Sequence, residues 1–144
     1  MELANASLYD GATSVAEAIS VAINKTKRDN VVISSGFNPN TKEVVNTLID
    51  RNKFNTTYVD LVDYLFPEDY VFSQDDAAFV VSLPHYEGSA QDLTSIVQNA
   101  KAAGVITICY ADPSMLGILK SPGSMGFDIV CLLYTSPSPR DLVI

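Results

Sequence analysis

"DDAAFVVSLPHYEG", residues 75–88, is the stretch on which the architecture turns. From Ala77 to Val81 it carries no charge and no polar side chain. A strand that is apolar at consecutive positions, without alternation, is covered on both faces. That pattern belongs to a parallel sheet between helical layers, not to a sheet wetted on one side. Residues 84–88 follow as a loop, opened by Pro84 and closed by Gly88.

Working downstream, Ser89 can cap a helix, with Asp92 three residues on. That helix carries Leu93, Ile96, Val97 and Ala100 on one face and stops at Gly104. Residues 105–110 read as a second buried strand ended by Asp112-Pro113, and residues 127–130 as the last one. Upstream, residues 56–61 are a strand candidate. Residues 62–76 read as loop, because Pro67 and the pairs Glu68-Asp69 and Asp75-Asp76 interrupt any periodicity. Val44, Val45, Leu48 and Ile49 give a helix its apolar face, with Asn40 and Glu43 close to a capping box. Residues 31–33 form a β-branched strand ending in Ser34-Ser35-Gly36. Val15, Ile19, Ala22 and Ile23 lie on one face of a first helix.

Strand alternating with helix predicts an α/β protein, a mostly parallel sheet in a three-layer α/β/α sandwich. Ligands of such sheets gather at the carboxyl ends of the strands, which directs attention to the loops at 34–40, 84–88 and 112–117.

The 144 residues are 47% hydrophobic and 18% charged, a globular composition of single-domain size. The net charge of −8 argues against nucleic acid and anionic membranes as partners. The two cysteines, Cys109 and Cys131, form no Cys-x-x-Cys pair and stand apart from the single histidine, His85, so no zinc site is expected. No signal-peptide pattern and no apolar run of membrane-spanning length is visible, and the cytoplasm is the expected compartment.

Three positions carry candidate chemistry. Gly11-Ala12-Thr13 is a small-residue turn at a helix start, where backbone N–H groups hold an anion or simply begin a tightly capped helix. Asp112 closes a buried strand and either serves a ligand or caps the next turn. His85 lies in the loop at 84–88 with only Glu87 as a nearby carboxylate, and reads best as a loop histidine without a chemical role. One histidine and no nucleophile elbow leave no Ser-His-Asp arrangement.

The segments "NASLYDGATSVAEA" (5–18), "LPHYEG" with "QDL" (83–88 and 91–93) and "ADPSMLGILKSPGSMGFDIV" (111–130) together resemble the glycine cleavage system P-protein family, in its N-terminal subunit. The resemblance covers roughly residues 2–130. It implies the large domain, in part, of a type I pyridoxal-phosphate-dependent transferase, the aspartate aminotransferase-like fold. It also implies an oxidoreductase activity: pyridoxal phosphate decarboxylates glycine, and the aminomethyl group passes to the lipoyl H-protein.

By the same resemblance, Gly11, Ala12 and Thr13 match the turn that wraps the cofactor phosphate, and Asp112 the residue that pairs with the pyridine nitrogen. His85 stands where the family usually has asparagine, beside the same site. Tyr9 and Asp10 match the contact with the partner, P-protein subunit 2. The Schiff-base lysine should follow Asp112 by a further strand. Lys25, Lys27, Lys42, Lys53 and Lys101 precede Asp112, and Lys120 follows it too closely, so no catalytic residue is expected here. In the family it is the second subunit that binds the cofactor.

Residues 1–130 then read as a partial transferase domain. Residues 131–144, "CLLYTSPSPRDLVI", read as a foreign, adaptor-derived tail, and the fragment is expected to be inactive alone. The family's fold implies a further strand after Val130, whose loss leaves sheet edges unpaired. The alternatives are a fragment of another type I enzyme, a desulfurase or aminotransferase, or a non-catalytic flavodoxin-like binding module.

Overall fold

All eight residues of the central strand β3 (Asp76–Leu83) are buried, as its charge-free sequence requires. The computed structural model describes residues 8–49 and 54–132. Around β3 stand β1 (Asn30–Ser34), β2 (Asn55–Val59), β4 (Ile106–Ala111) and β5 (Ile129–Leu132), in the order β2-β1-β3-β4-β5. All four pairings are parallel. The helices are α1 (Gly11–Thr26), α2 (Pro39–Leu48), α3 (Thr94–Ala102) and the single turn α4 (Pro122–Met125), with a 3-10 turn at Pro113–Gly117.

The chain moves one way from β1 to β2 and the other way from β3 to β5. Right-handed crossovers therefore place α2 and α3 on opposite faces. Successive residues of β3 divide between the two layers. Ala78 and Val80 join α1, α2, Val31, Ile33 and Ile108, whereas Phe79, Val81 and Leu83 join α3, Phe66, Phe72 and Cys109. The three-layer sandwich is as expected. The strand order is also that of flavodoxin-like sheets, but here a helix precedes the first strand and supplies the small-residue turn.

Several local readings are corrected. The cap of α2 is Asn38, whose side chain accepts from the Asn40 N–H at 2.9 Å, with Pro39 as the first helical residue. Val44 and Leu48 are exposed, so α2 buries only a narrow stripe, Val45, continued by Ile49. Ser89 caps nothing: its hydroxyl donates to the Tyr64 carbonyl, and α3 starts only at Thr94, whose N–H is held by Asp92 at 3.0 Å. β5 begins two residues later than expected because Asp128 faces β4 instead, accepting from the Thr107 N–H at 2.9 Å and hydroxyl at 2.8 Å. Burial pushes the Asp128 carboxyl up, but the Thr107 bonds and Lys101 outweigh it and leave it below the ordinary range. β5 runs through Cys131 and Leu132, two residues past the boundary drawn at Val130, and Cys131 is buried. The remainder of the tail, 133–144, lies outside the described residues.

The amino edge of the sheet is bolted. Arg28 Nη1 donates to the carbonyls of Asp76 (3.0 Å) and Ala103 (2.9 Å), joining the end of α1 to β3 and to the end of α3. The buried Asp76 carboxylate accepts from Asn30 Nδ2 at 2.5 Å and the Ser73 N–H at 2.7 Å. Function is to be sought at the other edge.

Candidate functional site

Because α1 runs into β1 from above, its N-terminus lies at the carboxyl edge of the sheet, where β3 and β4 also end. Gly11, His85 and Asp112 therefore share one rim. Asp10 and Asp112 both bear on the Tyr110 phenol between them: burial raises its pKa most, and each carboxylate raises it further.

The first turn of α1 is held from within. The Asp10 carboxylate accepts the Thr13 N–H at 2.7 Å, while the Thr13 hydroxyl accepts the Asp10 N–H at 3.0 Å and donates back to that carboxylate at 2.8 Å. This is a reciprocal capping box. The Thr13 bonds hold the Asp10 carboxyl below its usual range. Ser14, the other hydroxyl of the turn, donates to the Gly11 carbonyl at 2.7 Å. Gly11 itself lies against Tyr110: a Cβ there would stand 2.6 Å from both the phenol oxygen and Cε2. Tyr110 in turn stacks on Phe37, with ring centroids 5.9 Å apart and planes at 14°.

Asp112 is exposed. It accepts the Ser114 N–H at 2.9 Å, capping the 3-10 turn, and these Ser114 bonds lower its pKa.

The switch point of the sheet lies between β1 and β3, where ligands of open α/β sheets usually sit. Here it is closed. Tyr86 N–H donates to the Gly36 carbonyl at 2.9 Å, and the His85 N–H to the Ser89 carbonyl at 2.9 Å. Beneath Gly36 lies the His85 ring, 1% exposed, with neither ring nitrogen hydrogen-bonded. Gln91 beside it uses its amide on the Phe66 backbone, accepting from N–H at 2.9 Å and donating to C=O at 3.0 Å. His85 lies in the loop, as read from the sequence, but the two loops fold over the ring and bury it.

Burial drives the His85 pKa down, against smaller upward pulls from Gln91 and Glu87. The folded chain therefore takes up its proton at lower pH than the unfolded chain does. Stability is complete above the unfolded value near 6.5 and falls as pH drops through the folded value. A second loss follows in stronger acid. There Asp10, Asp112, Asp128 and Asp92, the last at about 2 through its Thr94 and Lys120 bonds, become protonated. Urea midpoints should thus decline from pH 7 to 5 in the native chain and stay level over that range in His85→Asn.

A bound pyridoxal phosphate would need an open phosphate cradle, a carboxylate free for the pyridine nitrogen and a lysine. The residues present do not fit it. Asp10 occupies the Thr13 N–H of the cradle, Tyr110 fills the space above Gly11, and Asp112 holds Ser114. Among the described lysines, Lys25 and Lys27 lie at the far end of α1, Lys120 is paired with Asp92 at 2.9 Å, Lys42 lies 4.0 Å over the Tyr58 ring, and Lys101 pairs with Asp128 at 3.1 Å.

Sequence reasoning missed Tyr110 and Phe37. The available signal was an aromatic residue just before Ala111-Asp112, at the end of an apolar strand. It also missed the hairpin tip at 62–65, where Asp63 (φ 49°) and Tyr64 (φ 65°) are both left-handed and Val62 and Leu65 exchange backbone bonds. The same rim exposes Tyr9 (90%), Tyr64 (67%) and Tyr86 (59%). Among the described residues no cluster of metal-ligating side chains occurs, and no helix is long and apolar enough to cross a membrane.

The profile of the family described as "Glycine cleavage system P-protein" matches residues 1–132. The "Probable glycine dehydrogenase (decarboxylating) subunit 1" of Desulforamulus reducens is 38% identical over 133 residues, and its Staphylococcus haemolyticus counterpart 37% over 134. Each alignment covers 90% of this chain and 30% of the relative, so the chain spans under a third of their length. Among solved structures, the inhibitor-bound glycine decarboxylase (P-protein) of the glycine cleavage system superposes with a TM-score of 0.84 at 34% identity, over 90% of this chain and 30% of that one. An O-acetylhomoserine (thiol)-lyase of Campylobacter jejuni carrying a pyridoxyl-lysine phosphate superposes at 0.64 with 16% identity, over 86% and 30%, a likeness of fold alone. The fold is thereby that of the type I pyridoxal-phosphate enzymes.

Proposed function

The chain belongs to the glycine cleavage system P-protein family, and from that premise we propose that it is a segment of a subunit that supports glycine decarboxylation without binding the cofactor itself. The observation that carries this reading is the closed carboxyl edge: the cradle turn is in place, but Asp10 and Tyr110 fill it. The partner subunit would hold pyridoxal phosphate, which would supply the electron sink for glycine decarboxylation, and the lipoyl H-protein would accept the aminomethyl group. This chain's part is to supply a wall and an interface. Tyr9, exposed beside Asp10, is the anchor of that contact, since a large exposed aromatic at the rim of a site is a common interface hot spot. The cytoplasm is the compartment of the assembly, and residues 133–144, which follow the family match, are foreign to it.

The test uses the complete subunit with its partner. Exchange of labelled carbon dioxide into glycine should require both chains, and borohydride should trap the cofactor on the partner alone. Tyr9→Ala should weaken association of the two by about tenfold, roughly 1.4 kcal/mol, while leaving the unfolding midpoint unchanged. Stoichiometric trapping of pyridoxal phosphate on one lysine of this subunit would reject the proposal.

A further inference from the structure

We infer that Tyr110 and Asp10 act as a built-in substitute for a bound ligand, locking the first turn of α1 onto the carboxyl edge so that the edge keeps its shape with nothing bound. The inference rests on the family reading for the word substitute, and on geometry alone for the lock. A helix start over the ends of parallel strands has two needs. Its leading N–H groups want an anion, and the gap between the turn and the strand ends must be filled. In this chain both needs are met from within. Asp10 gives the anion, at 2.7 Å from the Thr13 N–H. Tyr110 gives the filling, in contact with Gly11 closely enough to exclude a methyl group, and is itself backed by Phe37.

The arrangement explains two sequence features together. Gly11 has no positive φ among the backbone exceptions, so its small size answers to the Tyr110 ring and not to the backbone. Thr13 directs its hydroxyl to Asp10, not outward. Both residues of a phosphate-type turn are thereby kept by a contact that needs no phosphate. It follows that the rim offered to a partner is the same whether or not any cofactor is near.

Hydrogen exchange on the full 144-residue chain tests this. Amides of residues 12–16 should be protected in the native protein, and unchanged by inorganic phosphate or pyridoxal phosphate at millimolar concentration. Asp10→Ala should speed their exchange about tenfold, and inorganic phosphate should restore protection by taking the carboxylate's place. Tyr110→Ala should speed the same amides, whereas Tyr110→Phe, which keeps the ring, should not. The lock is refuted if phosphate alters the native chain's exchange, or if Asp10→Ala and Tyr110→Ala leave it unchanged. Should Tyr110→Ala fail to fold, the phosphate titration of the native chain and of Asp10→Ala still decides. The readout is independent of decarboxylation, so failure of the functional proposal and failure of the lock are separate outcomes.

Discussion

The Phe79→Ala chain is expected to unfold with about 4 kcal/mol less free energy than the parent. Phe79 is fully buried in the middle of the central strand. It is the ring on which a cluster closes: Phe66 packs on it at 4.9 Å and Phe72 at 5.2 Å, and Tyr70 bridges those two at 5.5 and 4.9 Å. Phe66 and Phe72 belong to the connection between β2 and β3, which has no helix to cover that face. Removing the Phe79 ring therefore leaves a cavity under a loop and removes its aromatic contacts with Phe66 and Phe72. A single domain has about 5–15 kcal/mol to lose, so the variant should populate the unfolded state visibly at room temperature. Denaturant titration reads this as a lower midpoint at unchanged slope. Val71→Ala, on the same connection but 85% exposed, should stay within about 0.5 kcal/mol. A loss below about 1.5 kcal/mol for Phe79→Ala would mean that the rings do not pack as described.

Gly36→Ala is the second large effect, about 2–3 kcal/mol. The added Cβ would lie 2.7 Å from His85 Nδ1 and 3.0 Å from both Cβ and Cγ of that residue. The ring cannot retreat, because it is fully enclosed and the Tyr86–Gly36 bond fixes the loop above it. The damage comes from volume, not from backbone conformation, and this makes a specific double-mutant result expected. In a His85→Ala background the same Gly36→Ala substitution should be nearly silent, a coupling of about 2 kcal/mol. Additive losses would show that Gly36 is constrained by something other than the histidine.

The layered architecture was legible because it depends on burial. Residues 77–81 carry no polar atom in their side chains, and only a sheet covered on both faces accommodates such a strand. Helix faces such as Leu93, Ile96, Val97 and Ala100 were legible for the same reason. Helix starts were not. Asn40 and Ser89 look like caps in a one-dimensional reading, yet Pro39 fixes one start earlier, and Tyr64, 25 residues away, takes the Ser89 hydroxyl. The site was half legible. The order of segments brought Gly11, His85 and Asp112 to a common rim. What fills that rim could not be read, because Tyr110 meets Gly11 from a distant strand and Phe37 stacks on Tyr110 across the sheet. Contacts of that kind leave no mark on local spacing. His85 shows the limit most plainly, since its loop position says nothing of burial and only the fold over it encloses the ring.

Cys109 and Cys131 lie on neighbouring strands but in opposite layers, each buried and each with its thiol pKa raised by burial. The thickness of the sheet keeps the sulfurs from joining, so the molecule carries a pair of silent reporters. Alkylating reagents should mark Cys131 first, as β5, the end strand among the described residues, peels, and Cys109 only when the whole domain opens. The interval between the two events measures how much of the structure breathes before it melts.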